Sequence, residues 1–498
     1  MEEALLGIDI GTSSGKVGIF DRYGRILASG TVRFSTVRRE ADQVEQDPEE
    51  WWGLTSRLIR ELLDSEAMRD VRVCGVGVDA QGWSMIPVDT KGNMLFPNMI
   101  WMDTRSEDIC RRYRREIGDD RIFEVCGNQL GGGYSLPKIL WLREWYPDIF
   151  EKIHTVLQAN SYIVYRLTGR FTQDVCQSYA YQCFDNRRGD WDRDLMHAFG
   201  LSEQLFPEIS PCDAVVGTVT KKASELTGLK EGTPVVAGGL DAACAALGIG
   251  VIADGEAQEQ GGQAEGMSIC TGSYAADPRL ILSRHVVPGY WLLQGGTVGG
   301  GGAVDWARNL FLSSEAEKPT VYAEMDRMSA SVPAGAEGVV FLPYMRGERS
   351  PIWDPYAKGV FYGLDFSKTR AHMIRAVQEG IAFSLRHNLE VAERAGCKVD
   401  TLWAAGGSAK SGHFLQIKAD ITGKKMCVAA SDMGAAQGAA LLAGVGTGFY
   451  SSYKEAKEQV VHLDRTFAPR REEQAVYDVR FGQYLELYQS LKGLMERS

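Results

Sequence analysis

The stretch Gly7-Ile8-Asp9-Ile10-Gly11-Thr12-Ser13-Ser14-Gly15-Lys16-Val17-Gly18-Ile19-Phe20-Asp21 decides how this chain is read. An apolar run from Leu5 to Ile10 carries Asp9 to its end, small residues turn the chain, and a second run from Lys16 to Phe20 returns. Bare backbone and the hydroxyls of Thr12, Ser13 and Ser14, with Lys16 next to them, allow close approach of an anion, and phosphate suits such a nest. Asp9 is then placed to hold Mg²⁺, because Mg²⁺ takes one or two carboxylates together with phosphate oxygens. The same letters also fit a plain glycine-rich hairpin whose aspartate only caps the turn.

Outward from this segment, Ile26 to Phe34 adds a third strand to an antiparallel meander. Asp47-Pro48 opens a helix running to Leu63, with Trp51, Leu54, Leu58 and Leu62 at helical spacing, and a strand follows at Val71 to Val78. Further helices are expected at Ser106 to Ile117, Pro137 to Trp145, Asn160 to Leu167 and Asp192 to Phe199, and the class is α/β. The 498 residues exceed the ~250–300 at which one core stops growing, so two domains are expected, 1–250 and 251–498, with a cleft available between them. A net charge of −11 and a pI near 5.3 argue against nucleic acid or an anionic membrane as partner. The ten cysteines lack metal or disulfide spacing, which is usage of a reducing compartment. The opening MEEALLGIDIG is acidic where an export signal is basic, so the cytoplasm is the expected location. The apolar stretch from Gly434 to Phe449 is too short to span a membrane and reads as a buried helix packed closely on a neighbour.

The second half is expected to repeat the opening in outline. After a polar, glycine-broken stretch from Ala253 to Glu265, Met267 to Cys270 reads as a strand, Thr271-Gly272-Ser273 as a second small-residue turn, and Tyr274 to Ala276 as the returning strand. Between the two, Thr233 to Ala237 is a strand ending in Gly238-Gly239-Leu240-Asp241, followed by a helix of small residues. Ligands in α/β proteins bind outside the carboxyl ends of strands, where Asp9, Asp79 and Asp241 all stand. The residues alone do not rank these three. Further on, Leu402 to Ala405 breaks at Gly406-Gly407 before a helix from Ser411, and bare glycine backbone there admits a flat ring. The closing residues, Arg470 to Ser498, read as a charged amphipathic helix.

Taken in order, six segments resemble the FGGY carbohydrate kinases: GIDIGTSSGKVGIFD, IWMDTR (100–105), SLPKILWLRE (135–144), GGLDAACAALG (238–248), GERSPIWDPYAKGVFYGL (347–364) and AGGSAKSGHFLQIKADITG (405–423). The resemblance spans nearly the whole chain. It implies two ribonuclease-H-like domains of the actin and hexokinase type, and transfer of a phosphoryl group from MgATP to a ketose or polyol. It makes Asp241 the catalytic base and Asp9 the Mg²⁺-associated carboxylate. Thr12, Ser13, Ser14, Lys16, Thr271 and Gly272 become phosphate contacts, and Gly406, Gly407 and Ser411 the adenosine turn. Gln81, Gly82, Trp83, Asp103, Arg105 and Asp241 become the sugar contacts, in a pattern similar to the xylulose kinases.

Three positions depart from that pattern. Gly82-Trp83 stands where Met-His is usual, Ala242 where an amide is usual, and Cys270 where glycine is usual. The first two leave a ribulose, glycerol or erythritol type of acceptor open. A nucleotide switch of the actin or chaperone type would need no sugar-contacting set, and a sugar-binding protein without catalysis would not need both Asp241 and Asp9. The expected partners are a small sugar or polyol and ATP, with a homodimer left open.

Overall fold

The computed structural model describes residues 1–430 and 433–497. The chain forms two compact units, one of Met1–Ile252, Leu282–Leu292 and Met433–Val461, the other of Ala253–Ile281, Leu293–Asp432 and His462–Ser498. The division expected after residue 250 falls beside Ile252, but two later segments return to the first unit. Among the described residues no helix is long and apolar enough to cross a membrane.

In the first unit β1 (Glu2–Ile10), β2 (Ser14–Phe20) and β3 (Ile26–Arg33) form an antiparallel meander. Asp47 accepts from the Glu49 N–H to cap α1 (Pro48–Leu63), which buries Trp51, Trp52, Leu58 and Ile59 in one core with Ile8, Val17 and Ile19. β4 (Val71–Ala80) runs parallel to β1 on its other side. Beyond it lie β5 (Val215–Thr218) and β6 (Pro234–Val236), and the short β7 (Gly239–Leu240) pairs with the end of β4. α2 (Asp241–Gly248) follows directly.

Ala4 to Ile10 of β1 are buried without interruption, as in a strand covered on both faces. One cover is the helix Gly434–Gly446, which packs on β1 and β4 as well as on α2. A Cβ placed on Gly7 would lie 1.8 Å from the Ala436 carbonyl oxygen, and one on Gly77 would lie 1.9 Å from that of Ala439. Bare backbone at these two positions is what lets the helix lie flush on the sheet.

In the second unit β8 (Gly255–Gly261) pairs antiparallel with β9 (Glu265–Thr271) and parallel with β10 (Val399–Gly406); β11 (Lys425–Ala429) and β12 (Leu463–Phe467) continue the sheet. α3 (Val321–Ala330), α4 (Arg370–Arg394), α5 (Gly412–Thr422) and α6 (Arg471–Met495) bring a core that includes Met325, Phe383, Phe414 and Ile417. α6 is the expected closing helix, and it buries Tyr477, Phe481, Tyr484 and Tyr488 at helical spacing.

The opening of this unit differs from the sequence expectation. The paired strands are β8 and β9, joined at Gly262 to Ala264, and Tyr274 to Ala276 form no strand. β8 escapes recognition because its buried side chains include Gln258 and Glu259. The fully buried Lys418 of α5 sets its Nζ 2.7 Å from Glu259 Oε1 and 2.9 Å from Glu265 Oε2. Charge neutralisation replaces hydrophobicity as the reason for burial.

Candidate active site

Three strand ends of the first unit converge. Asp9 pairs in register with Asp79, Asp79 with Gly239, and Asp241 begins α2 two residues later. Asp9 is nearly buried and Asp79 completely so, and neither Asp79 oxygen meets a donor. Burial raises the Asp9 carboxyl above its ordinary range, opposed by Lys16, whose Nζ is 4.0 Å from Oδ2. Asp79 is raised further, by burial first and then by the charges of Asp9 and Asp241. Asp241 is pushed up to about 7, again by burial and then by Asp9, while the Ala242 N–H donates to its Oδ1 at 2.7 Å. Three carboxyl groups with one half-exposed lysine nearby are short of positive charge. An all-oxygen set with orphaned buried carboxylate atoms fits a hard divalent ion such as Mg²⁺. Among the described residues no cage of three or more ligating side chains is formed, so one or two carboxylates would share the ion with the nucleotide.

The turn from Gly11 to Ser14 lies beside Asp9. The Gly11 N–H bonds the Ser14 carbonyl and the Phe34 N–H that of Ser13, so the turn is tied at both ends. The Thr12 carbonyl accepts from Gln46 Nε2 at 2.6 Å and its hydroxyl from Trp101 Nε1 at 2.9 Å. Gln46 also accepts from Gln81 Nε2 at 2.7 Å, which joins the turn to the Gln81-Gly82-Trp83 segment. Neither Gln46 nor Trp101 stood out in the sequence, since nothing in an isolated Gln or Trp signals its partner.

Trp83 adopts a left-handed backbone, φ 63°, unusual for a bulky residue. Its carbonyl accepts from the buried Lys138 Nζ at 2.9 Å, and that ammonium also bonds the carbonyls of Ile100 and Gly133. Burial lowers the Lys138 pKa to about 7. The indole ring lies 4.1 Å from that of Tyr134 and donates from Nε1 to the Tyr179 hydroxyl at 2.9 Å. Tyr179 in turn feels the charge of Asp241, though burial is the main reason its phenol is raised. A Cβ on Gly82 would stand 2.9 Å from Leu240 Cδ1, so a larger residue there would require that methyl group to move aside.

Asp103 and Arg105 are engaged by partners within the protein. Asp103 is fully buried, its Oδ2 accepts from the Val44 N–H at 2.8 Å, and both oxygens hold the Arg105 guanidinium. Arg105 also bonds Glu45 at 2.8 Å and lies over the Trp141 ring, with its side chain only 5% exposed. The pair forms an internal ion cluster that the sequence could not distinguish from a sugar-binding pair.

A polar layer behind the strand ends was also missed. Gln177 Nε2 reaches the carbonyls of Ala80 and Gly239 and the side chain of Asn160. Asn160 bonds the Ala237 carbonyl and Asp174, whose carboxyl burial pushes up to about 7. These groups tie together the strands that carry Asp79 and Asp241.

The second unit contains a pocket of about 550 Å³ lined by Gly261, Gly262, Gln263, Asp326, Gly407, Ser411 and Phe414 among others. Gly406, at φ 81°, pairs in register with Gly261 and leads into Gly407. Ser411 caps α5 by accepting from the Phe414 N–H at 3.0 Å. Thr271 and Gly272 lie elsewhere. They end β9 where it runs beside the start of β8, with the Gly272 N–H bonded to Asp254, roughly 20 Å along the hairpin from Gly261. The small-residue turn near Gly406-Gly407 is therefore Gly261 to Ala264, and the departure at Cys270 falls outside it.

Two family models match the chain: the N-terminal domain of the FGGY family of carbohydrate kinases over residues 4–248 and its C-terminal domain over residues 272–447. The hairpin of β8 and β9 lies between the two matched ranges. A xylulose kinase of Staphylococcus epidermidis is 30% identical over 498 residues, covering 99% of this chain and 98% of that protein. The crystal structure of a xylulose kinase from Rhodospirillum rubrum superposes with a TM-score of 0.93 at 28% identity, over 99% of this chain and all of that one. A gluconate kinase structure from Lactobacillus acidophilus, at 23% identity, shares the fold with a TM-score of 0.92 over 99% of this chain and 98% of that one.

Proposed function

The chain belongs to the FGGY family of carbohydrate kinases and is a sugar kinase, and we propose that it phosphorylates a small ketose such as D-xylulose with Asp241 as the base. The observation that carries this reading is the state of Asp241: first residue of a helix at a strand end, one oxygen fixed by a backbone N–H, and a pKa of about 7. A base with that pKa is about half ionised at neutral pH and accepts a proton as the acceptor oxygen bonds to phosphorus. Oδ2 is left for the acceptor hydroxyl, while the Ala242 N–H prevents the carboxylate from turning away. The turn from Gly11 to Ser14, with Lys16, would hold phosphate oxygens, and Gly406, Gly407 and Ser411 would hold the adenosine end of ATP. Asp9 would hold Mg²⁺ with Asp79 next to it. When bound, the ion offsets phosphate charge that three carboxyl groups would otherwise repel.

Trp83 favours a refinement. Its indole, with Tyr134 and Tyr179, offers apolar ring surface where relatives present a polar pair, and Ala242 adds a methyl group where they present an amide. A ketose or polyol with a C–H or deoxy edge would match this wall, so D-xylulose is an acceptor without being the best one. The test is an ADP-release screen over ketoses, polyols and sugar acids, run in parallel with Asp241→Asn. Turnover of a ketose by the wild type and its loss in the variant is the expected result. Failure with every acceptor, or equal turnover by both proteins, would overturn the proposal.

A further inference from the structure

The pocket beside Gly407 has walls of Val304, Met325 and Phe414, and at one side it presents Asp326, Gln378 and Ser411. Their hydrogens are directed. The Ser411 hydroxyl donates to Asp326 Oδ2 at 2.7 Å, and Gln378 Nε2 donates to Asp326 Oδ1 at 3.0 Å. The Asp326 carboxylate only accepts and so sets the Gln378 amide with Nε2 towards it, which leaves Oε1 to accept from the Ser329 hydroxyl at 2.5 Å; His413 Nε2 lies 2.9 Å from that hydroxyl. Each Asp326 oxygen accepts one of these bonds and keeps a further lone pair, and the Gln378 amide keeps one further N–H. The pocket wall thus carries an acceptor, the Asp326 carboxylate, bonded side by side with a donor, the Gln378 amide.

We propose that Asp326 and Gln378 select the base of the phosphoryl donor, taking adenine and rejecting 6-oxopurines. Adenine carries an amino donor at C6 beside the N1 acceptor, which is complementary to a carboxylate next to an amide N–H. Hypoxanthine and guanine carry the reverse, a carbonyl oxygen at C6 beside an N1–H. A carbonyl oxygen facing the Asp326 carboxylate leaves two acceptors opposed and a buried donor without a partner. This inference rests on the reading of the pocket as the nucleotide site.

The experiment is calorimetric titration of the intact enzyme, without sugar, using the non-hydrolysable imido analogues of ATP and ITP. A hydrogen bond to a charged group corresponds to roughly 10- to 150-fold in affinity, and the ATP analogue is expected to bind tighter by that order. Asp326→Asn, checked for an unchanged melting temperature, should narrow the ratio at least fivefold, mainly by weakening the ATP analogue. Equal affinity of the two analogues for the wild type overturns the inference and leaves the nucleotide reading standing. A ratio that survives the substitution overturns it too, since another group would then be reading the base. If neither analogue binds, the pocket is not a nucleotide site and both readings fail. The wild-type comparison decides the question even if the variant does not fold.

Discussion

Each unit opens on an antiparallel hairpin flanked by a parallel strand, β1–β2 with β4 and β8–β9 with β10, yet the two treat buried charge in opposite ways. In the first hairpin the buried side chains include Leu5, Leu6, Ile8, Ile10, Val17, Ile19 and Phe20, and the buried carboxylate Asp9 has Lys16 as its ion partner at 4.0 Å. In the second, Glu259 and Glu265 meet one buried ammonium at 2.7 and 2.9 Å. Burial, with Glu259 adding to it against Lys418, still pushes Glu265 up to about 7. A buried carboxylate short of positive charge is prepared for a ligand, whereas one with an ammonium at contact distance belongs to the architecture.

The largest expected effect tests the ligand side of this contrast. Asp241→Asn should lose about 10²- to 10⁴-fold in turnover, with nucleotide affinity nearly unchanged. The native pKa of about 7 lies above the unfolded value near 3.9, so the folded state binds the extra proton. Stability from this group is therefore full below pH ~4 and is lost as pH rises through about 7, and at pH 8 the Asn variant should melt no lower than the wild type. The wild-type rate should fall as pH drops below about 7. Single-turnover rates and calorimetric melting at pH 6 and pH 8 check these points, and a variant retaining more than a tenth of the rate would take the base role from Asp241.

The architectural side is tested by Lys418→Met, which leaves two buried carboxylates facing each other. About 3–5 kcal/mol of stability should be lost, the usual cost of breaking a buried ion cluster from one side. Combining it with Glu259→Gln and Glu265→Gln should recover most of that loss. Urea unfolding of the single and triple variants measures both, and a single variant as stable as the wild type would erase the contrast between the hairpins.

A smaller effect is expected from Asp9→Ala, which should move the Mg²⁺ midpoint of the rate upward several-fold while leaving the sugar KM nearly constant. A Mg²⁺ titration at saturating sugar decides it; an unmoved midpoint would make Asp9 architectural like Glu259. The smallest concerns the acceptor: Trp83→His should shift the ratio of kcat/KM for D-xylulose against the best acceptor by a few-fold towards D-xylulose. An unmoved ratio would remove the indole from the sugar site.

The contrast also explains what the sequence made legible. β1, β2, α1 and β4 were readable because their burial is hydrophobic and their turns use Gly, Asp and Pro. The helices expected at Ser106, Pro137, Asn160 and Asp192 appear as Glu107–Ile117, Ser135–Trp145, Ala159–Thr168 and Arg193–Ala198. β8 was not readable, because Gln258 and Glu259 look like loop residues until Lys418, more than 150 positions away, is placed beneath them. Missing β8 moved the expected small-residue turn from Gly261-Ala264 to Thr271-Gly272. Asp103 and Arg105 show a similar limit, because their tertiary pairing with Glu45 and Val44 leaves no trace in the sequence. Asp9, Asp79 and Asp241 were legible as strand-end carboxylates, but that the Asp9 charge helps to raise the pKa of both Asp79 and Asp241 follows only from the register that aligns them.

The helix Gly434–Gly446, laid flush on Gly7 and Gly77, has a consequence for how the protein is made. Translation supplies β1 before this cover, which follows only after the ribosome has synthesised the bulk of the second unit. Until then the backbone face of β1 and β4 stays open, so a nascent chain or a fragment ending at residue 252 lacks the segment Met433–Val461 that completes its unit. The first unit is thus completed only after most of the second has been made, even though each has its own core.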